Sequence, residues 1–160
     1  MIRDITVNDA AQICEIYNYY ILNTIITFEE SIVSEQEMML RIEETIKKLP
    51  WIVFEKEGEI HGYAYASEWK SRCAYKYSLE STVYLKNGLE GNGIGSQLYD
   101  ELIKKIRDKK YHAVIGGISL PNEASIALHE KFGFEKIAHF KEVGYKFNSW
   151  IDVGYWELIL

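Results

Sequence analysis

Apolar positions along the chain follow two spacings, one typical of helices and one typical of strands. After residue 93 they recur at every fourth position: Ile94, Leu98, Leu102 and Ile106. This stripe predicts a helix that ends near Lys109. Residues 77–85 alternate as a strand does, and residues 113–118 form the continuous apolar run of a strand covered on both faces. We expect these two strands to lie parallel, with the helix as a right-handed crossover.

The remaining segments supply further elements of both kinds. Capping patterns that begin at Thr6 and Ser34 predict two helices, and a short helix runs from Asn122 to a C-cap at Gly133. Extended segments are predicted at residues 2–6, 24–28, 51–55, 60–66, 135–143 and 151–159. The expected fold is one layered α/β or α+β domain over residues 1–160, with a mixed central sheet of about six to seven strands and about four helices.

A glycine-dense loop joins the strand at 77–85 to the helix that follows it. The loop reads Glu90-Gly91-Asn92-Gly93-Ile94-Gly95-Ser96. Glycines let the backbone approach a ligand closely, and the first N–H groups of a helix attract anions, so the loop indicates a site for a phosphate-bearing ligand. The residues after the last glycine and the spacing between glycines exclude the Walker and Rossmann motifs. A flexible connection with a glycine-rich cap is the alternative.

Charge and cysteine content narrow the class of protein. The formal net charge of −6 leaves no general basic surface, which argues against nucleic acid as a partner, and no apolar run is long enough to cross a bilayer. Cys14 and Cys73 are isolated and fit no metal-ligand spacing, so we expect no metal site and a reduced, cytoplasmic protein. An anionic ligand must then be met locally, by backbone N–H groups and a few cations.

Two signatures in the chain resemble those of the GNAT superfamily of acetyl-CoA-dependent N-acetyltransferases. The glycine loop is similar to the family's Arg/Gln-x-x-Gly-x-Gly/Ala turn, except that Glu90 stands where the family usually has Arg or Gln. Asn122 opens a helix that ends in Gly133-Phe134, as in the second signature. Further segments resemble the phosphinothricin and methionine sulfone/sulfoximine N-acetyltransferase subfamily: residues 27–29, 50–51, 69–75, 80–84, 128–130, 144–146 and 150–156.

The resemblance implies a GNAT fold with a splayed pair of parallel strands, and acetyl-CoA as cosubstrate. The implied cofactor-binding residues are Val83, Tyr84, Leu85, Gly91, Asn92, Gly93, Ile94, Gly95, Ser96, Asn122 and Ser125. The carboxylate of Glu90 would repel a pyrophosphate. Either its side chain points to solvent, or the affinity for the cofactor is reduced.

Glu80 and His129 are the candidate catalytic residues. By strand alternation Glu80 shares a face with Thr82 and Tyr84, and the resemblance implies a general base for the amine, acting through water with a raised pKa. An exposed strand Glu in a salt bridge is the alternative. His129 stands where many family members carry Tyr, and it would donate a proton to the thiolate or relay one from the amine. A hydrogen-bonded core histidine is the alternative there.

Five residues are candidates for the acceptor site: Phe28, Lys70, Arg72, Tyr75 and Lys146. Arg72 offers a planar fork for the carboxylate of an amino acid, and Lys146 would face the oxygens of a phosphinate, sulfone or sulfoximine. Solvated loop cations and core aromatics are the alternatives for these positions. The resemblance also implies a homodimer with the pocket near the interface.

The favoured hypothesis is acetyl transfer from acetyl-CoA to the α-amino group of a small amino acid or analogue, directly within a ternary complex. Phosphinothricin, methionine sulfone and methionine sulfoximine are the implied acceptors. Two alternatives stay open. One is acetylation of another small amine or of a peptide N-terminus. The other is a CoA-binding domain without turnover, which intact Glu80 and His129 argue against and Glu90 mildly favours.

Overall fold

Seven strands and four α-helices make up the computed structural model, which describes residues 1–160. The strands are β1 Ile2–Asp4, β2 Trp51–Lys56, β3 Glu59–Glu68, β4 Ser78–Leu85, β5 Ala113–Ser119, β6 Glu135–Lys146 and β7 Ser149–Ile159. The helices are α1 Ala10–Asn23, α2 Glu35–Ile46, α3 Ile94–Asp108 and α4 Glu123–Lys131. The mixed sheet and the helices confirm the fold predicted from the sequence.

The strands form one sheet in the order β1-β2-β3-β4-β5-β7-β6. Every neighbouring pair is antiparallel except β4 and β5, which run parallel. These two strands pair only where residues 78–80 face residues 113–115. Beyond that point, residues 81–85 pair with β3 alone and residues 116–119 pair with β7 alone. The parallel strands therefore splay apart, and one edge of each leaves backbone groups free for a ligand.

Helices cover both faces of the sheet and bury a separate core on each. Helices α1 and α2 pack on one face through Ile13 and Ile42, both fully buried. Helix α3 packs on the other face through Leu98, Leu102 and Ile106. Burying each of these side chains stabilises the fold by about 1.5–3 kcal/mol. None of the four helices combines the length and the apolar content needed to span a bilayer.

Two connections differ from the prediction. Residues 24–28 contain bends at residues 25–27 and pair with no strand, so they do not form the expected extended segment. The hydroxyl of Thr24 donates to the Tyr20 carbonyl and accepts from the N–H of Ile26, and such local bonds compete with strand pairing. The loop expected over residues 144–150 shortens to Phe147 and Asn148, because both residues adopt positive φ in a tight hairpin turn.

Candidate functional site

Two adjoining cavities open where β4 and β5 splay apart. One has a volume of about 520 Å³ and is lined by the glycine loop and α4; we term it the glycine-loop cavity. The other has a volume of about 410 Å³ and contains the side chain of Glu80; we term it the Glu80 cavity. They share five lining residues: Ile26, Val83, Tyr84, Asn122 and Ser125. Groups held in the two cavities can therefore meet across this shared wall.

Backbone conformation shapes the glycine-loop cavity. Gly91 and Gly93 have φ values of 79° and 75°, in the left-handed region that residues other than glycine rarely adopt. Gly93 is also the N-cap of α3, so the loop delivers the chain into a helix N-terminus, which favours anions. Across the cavity, the side-chain oxygen of Asn122 caps α4 by accepting from the N–H of Ser125 at 3.1 Å.

Nine of the eleven predicted cofactor residues line the glycine-loop cavity: Val83, Tyr84, Leu85, Gly91, Gly93, Gly95, Ser96, Asn122 and Ser125. Asn92 and Ile94 are outside its lining. Asn92 is exposed and donates from Nδ2 to the Leu89 carbonyl. Ile94 is buried in the core beneath α3, where the apolar stripe of the helix begins.

Charges of both signs line this cavity. The ammonium of Lys131 lies 2.9 Å from the hydroxyl of Ser96, which places a cation at the start of α3. Glu90 is exposed to solvent, but it also lines the cavity. Burial, together with the nearby Glu90 carboxylate, raises the pKa of Tyr20 to about 12. Of the two expectations for Glu90, this position favours a carboxylate that weakens the binding of an anion.

Glu80 is the last residue of β4 that pairs with β5, so its side chain stands at the point where the strands part. It lines the Glu80 cavity, half-buried and without a hydrogen bond or salt bridge. Burial raises the pKa of this carboxyl, and no neighbouring cation opposes the shift. Glu80 therefore does not form the salt bridge that was the alternative for it, and its carboxylate is free to accept a proton from a ligand in the cavity.

His129 lies on α4 and lines the same cavity, with a side chain that is 4% exposed. Its Nδ1 atom is 2.7 Å from the carbonyl oxygen of Ser125, an acceptor, so Nδ1 carries the proton and Nε2 does not. Burial lowers the pKa of the imidazole, which keeps it neutral. Nε2 is buried and has no partner. In this state Nε2 can accept a proton but has none to donate.

Gly116 and Gly117 lie against the side chains of His129 and Glu80, and the sequence analysis missed both positions. A Cβ on Gly116 would overlap the imidazole of His129, so only glycine leaves room for that ring against β5. A Cβ on Gly117 would lie 3.1 Å from the ring of Tyr155 and 3.5 Å from a carboxylate oxygen of Glu80. The available signal was a pair of glycines inside an apolar strand, which marks a close approach of another group.

We expect Gly116→Ala to lower the free energy of unfolding by about 1–3 kcal/mol, because the added methyl group forces His129 out of its place. Chemical denaturation measures this loss. The double variant with His129→Ala removes the clash, so its loss should be smaller than the sum of the two single losses by about 1 kcal/mol. Strictly additive losses would show that the methyl group and the imidazole do not compete for the same space.

Of the five predicted acceptor residues, Phe28 lines the Glu80 cavity. Three others lie on the exposed loop before β4: Lys70, Arg72 and Tyr75. That loop stays beside the cavity because Trp69 packs edge-on against Tyr155, a lining residue, with 5.5 Å between the ring centroids. None of the three residues forms part of the cavity wall.

Lys146 occupies a different place from the one expected for a substrate contact. Its side chain is buried, and the ammonium donates to the carbonyls of Thr24 at 2.7 Å and Thr27 at 2.8 Å. Burial lowers the pKa of this lysine. Two of its three donors thus hold residues 24–28 against the β6–β7 hairpin, and residues 26–28 of this segment line the Glu80 cavity.

The arrangement suits a transfer between two bound molecules. The glycine-loop cavity offers helix N–H groups and one ammonium to a phosphate-bearing ligand. The Glu80 cavity offers the carboxylate of Glu80 to an acidic N–H group of a second ligand, and Nε2 of His129 is a second proton acceptor that lies buried against Gly116. No group of three or more His, Cys, Asp or Glu side chains could hold a metal ion.

Comparison with known proteins identifies similar chains over the full length. The family described as "Acetyltransferase (GNAT) domain" matches residues 2–154. The phosphinothricin N-acetyltransferase of Streptomyces viridochromogenes is 38% identical over 156 residues, which cover 98% of this chain and 85% of that protein. The L-methionine sulfoximine/L-methionine sulfone acetyltransferase of Salmonella typhimurium is 33% identical, over 95% of this chain and 90% of that protein.

Solved structures share the fold closely. A phosphinothricin acetyltransferase from Sinorhizobium meliloti in complex with AcCoA has a TM-score of 0.96 and 34% identity, and the alignment covers 100% of this chain and 88% of that one. A ribosomal-protein-alanine N-acetyltransferase from Brucella melitensis has a TM-score of 0.98 and 35% identity, with 100% and 99% covered. The names of these two neighbours differ in the acceptor, which is phosphinothricin in one and ribosomal-protein alanine in the other.

Proposed function

Because the chain belongs to the GNAT acetyltransferase family, we propose that it acetylates the α-amino group of a small amino acid or analogue directly, in a ternary complex with acetyl-CoA. The observation that carries this proposal is the shared wall of the two cavities, with the unpartnered carboxylate of Glu80 on the acceptor side. The enzyme class is that of its relatives, acetyl-CoA-dependent N-acetyltransferases.

Two side chains that line the Glu80 cavity divide the proton transfers between them. Acetyl-CoA supplies a thioester carbonyl as the electrophile. Glu80 takes a proton from the ammonium of the acceptor, directly or through one water, because its raised pKa narrows the gap to that of an amine. The unpaired backbone N–H groups in residues 81–85 are donors for the developing oxyanion. After the amine attacks the thioester carbonyl, its nitrogen carries one further proton; His129 accepts that proton at Nε2 and returns it to the sulfur as the C–S bond breaks.

The residues that hold the cofactor follow from the lining of the glycine-loop cavity. The N-terminus of α3 and the ammonium of Lys131 would meet the pyrophosphate, and the free edge of β4 would pair with the pantetheine amides. Glu90 is the one anionic group among them.

We expect Glu90→Gln to lower the KM for acetyl-CoA about threefold at low ionic strength, because the change removes a carboxylate from beside the phosphates. Initial-rate measurements at about 20 mM and about 500 mM salt test this, and the difference should shrink at high salt. Glu123→Gln is the matched control, since Glu123 is exposed on α4 and outside the cavity lining. An unchanged KM at low salt would show that the Glu90 side chain stays in solvent.

Phosphinothricin, methionine sulfone and methionine sulfoximine are the acceptors that the relatives favour. Phe28 and Tyr155 would flank the acceptor side chain in the Glu80 cavity. We propose that Lys70, Arg72 and Tyr75, on the loop beside this cavity, meet the acceptor carboxylate, with Arg72 as its bidentate partner.

Thiol release from acetyl-CoA tests the substrate class, with a panel of the three analogues, ordinary amino acids, an alanyl peptide and a polyamine. Selective turnover of the analogues supports the proposal. In the same assay we expect Arg72→Ala to raise the acceptor KM about tenfold with little change for acetyl-CoA, whereas Lys76→Ala, in the same loop, serves as control. Turnover of the peptide or the polyamine alone would show that the acceptor is a different kind of amine. Saturable acetyl-CoA binding without thiol release under any amine would indicate a non-catalytic domain.

We further propose a homodimer formed through the edge strand β6 and the adjoining hairpin. Six large apolar side chains are exposed there: Ile137, Phe140, Val143, Tyr145, Phe147 and Trp150. An apolar edge strand is a ready site for pairing with a second copy. Val143 also lines the Glu80 cavity, so this interface would adjoin the acceptor. Sedimentation velocity should give twice the chain mass of 18.6 kDa.

We place the reaction in the cytoplasm, because both cysteines are free thiols, as a reducing compartment favours. Acetylation removes the positive charge of the acceptor amine, so it would inactivate a toxic analogue that its target recognises through that charge. This supports a resistance role towards such analogues.

A further inference from the structure

The ring of Phe28 packs on strand β6 at Gly144. A Cβ added to Gly144 would lie 2.4 Å from Cζ of this ring, much closer than any real contact between two carbon atoms. Gly144 is buried, whereas Phe28 is 43% exposed and lines the Glu80 cavity. The ring is therefore part of the cavity wall, and only a glycine at residue 144 lets it lie so close to the strand.

Backbone conformation does not explain why residue 144 is a glycine. The positive φ in this part of β6 belongs to Glu142, at 52°, within the bulge that precedes Gly144. Gly144 itself has no left-handed φ and pairs with Ile151 across the hairpin. Its backbone would therefore accept alanine, and the contact with Phe28 is the feature that requires glycine.

Hydrogen bonds fix the backbone that carries Phe28. The ammonium of Lys146 donates to the Thr27 carbonyl at 2.8 Å and to the Thr24 carbonyl at 2.7 Å. Thr27 is buried, and its hydroxyl is 2.8 Å from that of Tyr17. Because the backbone is held, Phe28 responds to a larger residue at position 144 by turning its ring about the side-chain bonds.

We propose that Gly144 determines the acceptor specificity: by letting the Phe28 ring lie against β6, it leaves room in the Glu80 cavity for a side chain as long as that of methionine. Val143 and Tyr155 line the same cavity and offer this side chain further apolar surface. A methyl group at residue 144 turns the ring into the space that a long side chain occupies and that the side chain of alanine does not reach.

This inference rests on the proposed acetylation of amino acids, because it concerns the acceptor of that reaction. Gly144 does not line the cavity, so it acts on the acceptor through Phe28 and is a positioning residue.

Initial rates with methionine sulfone and with alanine as acceptors test the role of Gly144. We expect Gly144→Ala to raise the KM for methionine sulfone about tenfold, while kcat/KM for alanine and the KM for acetyl-CoA change less than about twofold. Phe28→Leu should raise the KM for methionine sulfone in the wild type, because it removes part of the wall. In Gly144→Ala the same change should lower that KM, because the shorter side chain leaves room for the methyl group.

Thermal unfolding detects the same contact without the reaction. Gly144→Ala should lower the Tm by about 3–8 °C, and by less when Phe28→Leu is also present. Gly58→Ala is the matched control, since its φ of 81° strains an alanine but no atom lies within 4 Å of the added Cβ. It should lower the Tm and leave every KM at the wild-type value.

A second variant covers the case in which Gly144→Ala does not fold. Phe28→Tyr adds a hydroxyl at Cζ, the ring atom nearest to Gly144, and so crowds the same contact from the other side. It should also raise the KM for methionine sulfone and leave that for acetyl-CoA unchanged.

Different results would overturn the specificity role and the proposed function. An active Gly144→Ala that keeps the wild-type KM for methionine sulfone, or that loses alanine and methionine sulfone equally, would overturn the specificity role alone. A KM that Phe28→Leu does not restore would do the same, because the ring would not be the cause. A wild type that acetylates no amino acid would overturn the proposed function and the specificity role with it.

Discussion

Glu80→Gln should lower kcat by about 10²–10⁴-fold while the KM for acetyl-CoA stays the same, because the change removes the base and leaves the shape of the Glu80 cavity intact. Burial raises the pKa of the Glu80 carboxyl, so its basic form appears only as the pH rises through that pKa. We therefore expect the acidic limb of the wild-type kcat profile to disappear in the variant. Initial rates between about pH 5 and about pH 9 measure both effects.

The same variant should not lose stability. A carboxyl whose pKa is raised in the folded state binds protons more tightly there than in the unfolded chain. Its contribution to stability is fully present below the unfolded pKa and is lost as the pH rises through the folded pKa. At neutral pH the ionised, partly buried Glu80 therefore destabilises the folded protein, and Gln removes this effect. The variant should unfold at the same or a higher temperature than the wild type.

Glu68→Gln is the control for this prediction, because Glu68 ends the neighbouring strand β3 and is exposed. Its kcat and pH profile should match those of the wild type. An acidic limb that persists in Glu80→Gln would assign the proton transfer to another group, and His129 would be the first to examine because it lines the cavity and its Nε2 is also an unpartnered acceptor.

Features that depend on neighbouring residues were predictable from the sequence. Helix α3 repeats an apolar residue at every fourth position, and a glycine with a left-handed φ precedes it. Residues 93–108 alone therefore indicate both where the helix starts and which of its faces is buried. Glu80 could be placed on the correct face by counting in twos along β4. Glu80 also lies at the position where β4 and β5 separate. This position explains why its carboxyl is partly buried and has no ion-pair partner.

Features that depend on distant residues were not predictable in this way. The ammonium of Lys146 bonds to carbonyls 119 and 122 residues away in the chain, and a local pattern does not separate such a lysine from a solvated one. The state of His129 depends on burial beneath Gly116, which comes from a different element. Sheet order, with β7 between β5 and β6, likewise follows from long-range pairing that the strand patterns do not specify.

Lys146→Met should raise the acceptor KM about tenfold or more and lower the free energy of unfolding by about 2 kcal/mol, because it removes the charged donor from two carbonyls while keeping the length of the side chain. The segment 24–28 would then lose its tie to the β6–β7 hairpin, and Phe28 would no longer be held in the cavity wall. Lys141→Met is the matched control, since Lys141 is exposed on the same strand.

The choice of acceptor separates this positioning role from a direct contact with substrate. If Lys146 bound the oxygens of a phosphinate or sulfoximine, its loss would raise the KM for methionine sulfoximine and leave the KM for methionine nearly unchanged. If it holds the wall, as its buried bonds to Thr24 and Thr27 indicate, both acceptors lose affinity by the same factor. We expect equal losses, since an ammonium that already donates twice inside the protein acts on any acceptor through the loop it fixes.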